Sequence, residues 1–89
     1  MTISADVVLR DESIDNIAVT ERFKENLDKY WSLAATENLV RYVFVGAALA
    51  NTEGIADYSN LLVNGGTSNI PISTGQFPVT EENGVTLID

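Results

Sequence analysis

The sequence contains no cysteine and no histidine. Those two absences remove disulfide frameworks, thiolate nucleophiles, Cys/His zinc sites and every catalytic triad or relay that needs an imidazole. Basic residues are also few: five Lys and Arg stand against thirteen Asp and Glu, a formal net charge of −8. Such a balance opposes a phosphate backbone or an anionic membrane surface by Coulomb repulsion, so neither nucleic acid nor membrane is an expected partner. No apolar run approaches the roughly 18 residues of a bilayer span, since the longest, Val43 to Ala50, has eight residues and includes Gly46. Met1 is followed by Thr2 and an alternating pattern, without the early basic residue and apolar stretch of a secretory signal. The expectation is a chain made in the cytoplasm.

What is present is enough for one small core. Eighty-nine residues fall below the usual single-domain size of about 100 to 150, so residues 1–89 are expected to form a single domain. Domains this short bury only about 60–65 % of the surface their unfolded chains expose, and commonly rely on disulfides, metals or a partner. Without cysteine and histidine, a partner is the remedy that remains. With 45 % hydrophobic and 20 % charged residues, the composition is that of a folding chain.

Apolar spacing sets the order of elements. Ile3, Ala5, Val7 and Leu9 alternate with Ser4, Asp6, Val8 and Arg10, which predicts a half-buried strand. Ser13 or Asp15 can cap a helix whose stripe, Val19, Phe23, Leu27, Tyr30 and Ala34, recurs at threes and fours to about Ala35. Glu25 and Lys29 have the favourable i,i+4 orientation on its surface. A second helix of roughly 12 residues is expected from Thr36–Asn38 onward, with the β-favouring run Val40 to Val45 making a strand the alternative for its first half. Gly54 is placed as a left-handed C-terminal cap. Residues 55–63 and 69–72 then read as two strands of a hairpin, joined by a turn at Asn64–Thr67 that needs positive φ. Pro78 cannot donate to a ladder, so its segment is an edge strand or no strand, and Val85 to Ile88 is a short terminal strand. The predicted class is α+β, in the order β-α-α-β-β with a short terminal β: a small, mainly antiparallel sheet with two helices on one face.

Residues 51–70, NTEGIADYSNLLVNGGTSNI, with Pro78 and Val79 beyond them, carry a family resemblance. Gly54-Ile55, Asp57-Tyr58, Ser59 to Leu61, Asn64-Gly65, Asn69-Ile70 and Pro78-Val79 occur in the order seen in the C-terminal region of phage and prophage baseplate J-like proteins. An upstream strand, a long amphipathic helix and an aromatic-rich RYVFVGAAL segment extend the similarity over most of the chain. Thr80 to Asn83, before Gly84, depart from the family's direct passage into another apolar strand, which leaves the pairing of residues 80–89 open. The resemblance implies the C-terminal domain of a longer chain, either excised with Met1 supplied by recombinant expression or encoded by a split or decayed prophage gene. It implies a structural, non-catalytic component of a contractile-tail baseplate in the virion, whose partners are other baseplate or tail proteins, with self-association a further option.

Residue chemistry gives little support to other classes. Glu81 and Glu82 are adjacent, so in an extended segment they point apart, as in a solvated loop. Asp11, Glu12 and Asp15 lack the spacing of a calcium loop and suit a helix N-terminus. Asn64 to Ser68 has no lysine and lacks the phosphate-cradling pattern. No catalytic residue, metal ligand, cofactor or small-molecule substrate is expected. An acidic mimic of nucleic acid is the competing reading, weakened because the carboxylates are dispersed along the chain. Among the aromatics, Phe23, Tyr30 and one of Tyr42 and Phe44 are expected in the core. Val8, Leu62 and Ile88, on strand phases opposite to their apolar neighbours, are candidate interface residues with Phe77 and Trp31; for Trp31, packing within the domain is the favoured alternative.

Overall fold

A computed structural model describes all 89 residues. The elements are β1 (Ile3–Leu9), α1 (Asn16–Glu37), β2 (Leu39–Val40), α2 (Tyr42–Ala50), β3 (Ile55–Val63), β4 (Ile70–Pro71) and β5 (Val85–Ile88). β1 is the centre of a three-stranded sheet in the order β3-β1-β5, antiparallel to β3 and parallel to β5. β2 and β4 form a second, two-stranded antiparallel sheet. The architecture is α+β, with both helices on one face of a mostly antiparallel main sheet.

Alternation in β1 selects that covered face: Ile3, Ala5 and Val7 are buried, together with Ile55, Leu61 and Val63 of β3 and Leu87 of β5. From α1, Val19, Phe23, Leu27, Trp31 and Ala34 meet them; from α2, Val45 and Leu49. The stripe on α1 thus passes through Trp31 instead of Tyr30. Tyr30 stays half-buried, and its hydroxyl accepts from the Arg41 backbone N–H at 2.7 Å, because the chain leaving α1 turns back beside it. Trp31 was a candidate interface residue, and the structure corrects this: it is 1 % exposed, at the centre of the core, with its Nε1–H donating to Thr80 Oγ1 at 3.0 Å. Phe23 is fully buried and Tyr42, not Phe44, is the inward aromatic of α2, its hydroxyl donating to the Leu61 carbonyl.

Local chemistry sets the boundaries. Asp15 is the N-cap of α1, its carboxylate accepting from the Ile17 N–H at 3.0 Å, and Asn38 ends the helix in the left-handed region at φ 55°. That reversal frees Leu39 and Val40 to pair as β2, so α2 starts at Tyr42 and is shorter than the spacing suggests. Gly54 has φ +100° but lies in the turn into β3; the cap of α2 is Asn51. The expected Glu25–Lys29 pair does not close, and the ion pairs on and after α1 are Lys24–Glu21 at 3.5 Å and Arg41–Glu37 at 3.7 Å.

The expected hairpin over 55–72 is the main correction. Its turn forms, with Asn64 and Gly65 at φ 51° and 77° and Val63 and Gly66 exchanging backbone hydrogen bonds. β4, however, pairs with β2, and β3 pairs with β1. Two contacts divert the chain: Asn69 Oδ1 accepts from the Tyr42 N–H at the start of α2, and the Ile72 N–H donates to the Asn38 carbonyl. Pro71 and Pro78 comply with their missing donors, one in a two-residue edge strand and the other in the irregular stretch between β4 and β5. β5 instead adds to the edge of β1 opposite β3, leaving the outer edge of β3 without a second strand.

Candidate functional site

The helices cover one side of the β3-β1-β5 sheet, and its other side is bare. Cross-strand pairing aligns Leu62, Ser4 and Thr86 in one row, Ser59, Asp6 and Ile88 in the next, and Asp57 and Val8 in a third. Val8 is 58 % exposed, Ile88 59 % and Leu62 37 %, although all three are large aliphatic residues on strands. Both the bare and the buried side follow from period 2: the same alternation that drives Ile3, Ala5 and Val7 inward turns Ser4, Asp6 and Val8 outward.

A bulge shapes this face. Register shifts by one residue between Ser4 and Asp6, where Asn60 adopts φ 53°. Its amide then reaches across the pair to donate to Asp6 Oδ2 at 2.7 Å. A second shift falls between Val8, opposite Asp57, and Leu9, opposite Ile55; Asp57 Oδ1 accepts from the Tyr58 N–H. Beyond it lie Asp11 and Glu12, which with Val8 and Asp89 line an open depression. Asp11 is held below the usual carboxylate range by the Ser13 backbone N–H, with the Ser13 hydroxyl adding to it.

Of the five residues nominated from sequence, the structure brings together Val8, Leu62 and Ile88. Phe77, 57 % exposed, stands in the stretch between β4 and β5 and lines a separate cleft with Met1, Pro71 and Val79. Trp31 contributes nothing to any surface. A further apolar surface escaped the sequence reading: Leu33, Phe44, Ala47 and Ala48 flank a groove of about 500 Å³ between the outer sides of α1 and α2, edged by Lys29 and Asn51. Its one available signal was Leu33, an apolar residue off the helix stripe.

None of these surfaces assembles reactive groups. No cluster of three or more carboxylates could hold a metal ion. Every buried side-chain N or O has a hydrogen-bond partner, and Thr52, the one buried polar residue, is satisfied by the Ala48 carbonyl and the Asn26 amide. Asp11 owes its lowered proton affinity to a turn hydrogen bond on the surface. What the bare face offers is apolar area interrupted by carboxylates. No helix is long and apolar enough to cross a membrane.

A small α+β domain with one uncovered sheet face is the class that these observations define. The chain belongs to the baseplate J-like protein C-terminal domain family, whose model matches residues 1–88. It is a structural component of a phage tail baseplate, and it interacts with other tail components in the virion. No curated protein matches the chain.

Proposed function

We propose that this domain is a non-catalytic assembly module of a contractile-tail baseplate, the C-terminal part of a longer baseplate protein, working by shape and packing against neighbouring subunits. The family match over residues 1–88 carries the reading. The bare sheet face and the groove between α1 and α2 support it, because both present apolar side chains to water. Turnover has no part in this function. Its partners are proteins, and neither nucleic acid nor membrane is among them, in keeping with the −8 charge.

Complementation tests it. Deleting residues 1–89 from the encoded baseplate protein is expected to leave tails without complete baseplates by negative-stain electron microscopy, and restoring the domain in trans or in cis to recover them. Normal, infective tails assembled without the domain would refute the reading. So would restoration that depends on a small-molecule substrate.

A further inference from the structure

We propose that the bare face of the β3-β1-β5 sheet docks a protein surface that intersperses apolar side chains with lysine and arginine. This rests on the assembly reading and adds the face used and the chemistry of its partner.

The charge on this face has one sign. β1, β3 and β5 contain no lysine or arginine, while Asp6 and Asp57 project among Ser4, Ser59, Val8, Leu62 and Ile88. Asp11, Glu12 and Asp89 continue the negative charge past the end next to Val8. Against them stands Arg10, exposed, one residue beyond β1. The chain's ion pairs involve Glu81, Glu21 and Glu37 and leave all five of these carboxylates without a cation. Asp6 spends one oxygen on Asn60 and Asp57 one on the next backbone amide, and each keeps its other oxygen free of protein donors.

Val8, Leu62 and Ile88 supply the area whose removal from water drives association, and Asp6 and Asp57, set among them, select the partner. An apolar partner lacking basic residues would desolvate Asp6 and Asp57 with nothing in return, which is costly. A second copy docking face to face would bring these carboxylates against themselves. Lysine or arginine facing Asp6 and Asp57 resolves both problems. The groove between α1 and α2 has no comparable charge bias, and nothing there specifies an occupant.

The test uses the full chain and the purified tube and baseplate proteins of the same tail, with binding measured by calorimetry at about 50 and about 300 mM NaCl. Val8→Glu with Ile88→Glu is expected to weaken binding at least ~100-fold, while circular dichroism confirms the fold. Asp6→Asn with Asp57→Asn, close in shape, is expected to weaken it ~10-fold at low salt and to flatten the salt dependence. Carbodiimide should link Asp57 or Glu12 to a partner lysine. Binding that survives both double variants but is lost in Leu33→Glu with Phe44→Glu would overturn the inference and keep the assembly reading. Tighter binding on removing the carboxylates would also overturn it, as would binding through this face to a second copy alone. If the unaltered chain binds none of the tail proteins, the assembly reading itself fails.

Discussion

The indole N–H of Trp31 donates to the hydroxyl of Thr80, 49 residues later in the chain, at 3.0 Å. This contact fastens the irregular stretch between β4 and β5 to the centre of the core, just before the chain enters β5. It also explains how the largest side chain in the molecule can be fully buried: its one polar atom has a partner inside.

Trp31→Ala is expected to remove about 3–5 kcal/mol. A domain of this length has about 4–13 kcal/mol in total, so the variant should lose a large share of its stability. Thr80→Val keeps the shape but strands the indole N–H and should cost about 1–3 kcal/mol. Urea denaturation monitored by circular dichroism reads both. An unchanged midpoint for Thr80→Val would mean that the Thr80 contact holds nothing.

Gly46 and Tyr58 form a second tight pair. A Cβ at Gly46 would stand 2.5 Å from the Tyr58 hydroxyl oxygen, whereas the nearest other atoms, in Leu61 and the Tyr58 ring, are at ordinary contact distance. Gly46→Ala is therefore expected to destabilise by about 1–2 kcal/mol despite its better helix propensity. In a Tyr58→Phe background the clash is gone, and the same substitution should be neutral or stabilising by up to about 1 kcal/mol. A double-mutant cycle measures this, and additivity would show that α2 does not approach β3 this closely.

Asp11 gives a pH signature. Its folded-state pKa lies below the ordinary 3.8, so the turn is stabilised at pH above that value and loses the contribution as pH falls through the lower, folded value. Carbon-detected NMR titration should place the Asp11 midpoint below those of free model peptides. Ser13→Ala should move it only part of the way up, because the backbone N–H is the larger cause and survives. A midpoint at the ordinary value would remove the turn hydrogen bond from the account.

The sequence exposes local physics well and long-range pairing poorly. β1 was legible because Ile3, Ala5, Val7 and Leu9 must share a face, and α1 because its stripe repeats over many turns. Asp15 as a cap and Asn64–Gly65 as a positive-φ turn were readable for the same reason: one or two side chains decide each. The pairing of β4 with β2 was not readable, since it depends on Asn69 meeting the start of α2 and on Asn38 reversing the chain, contacts made only after folding. Trp31 was ambiguous because 3.6 residues per turn allow either of two neighbours, Tyr30 or Trp31, to lead the stripe, and Thr80 decides between them. Of the docking face, Val8, Leu62 and Ile88 could be nominated one at a time from strand phase. Their meeting on one surface, with Asp6 and Asp57 among them, required the register.

Electron cryomicroscopy of the assembled tail tests the central claim most directly, because it images the domain among its neighbours. The expected map shows Val8, Leu62 and Ile88 covered by another tail protein, with its lysine or arginine side chains against Asp6 and Asp57. A map in which that sheet face is open to solvent while the domain is held solely by its helices or loops would contradict the account.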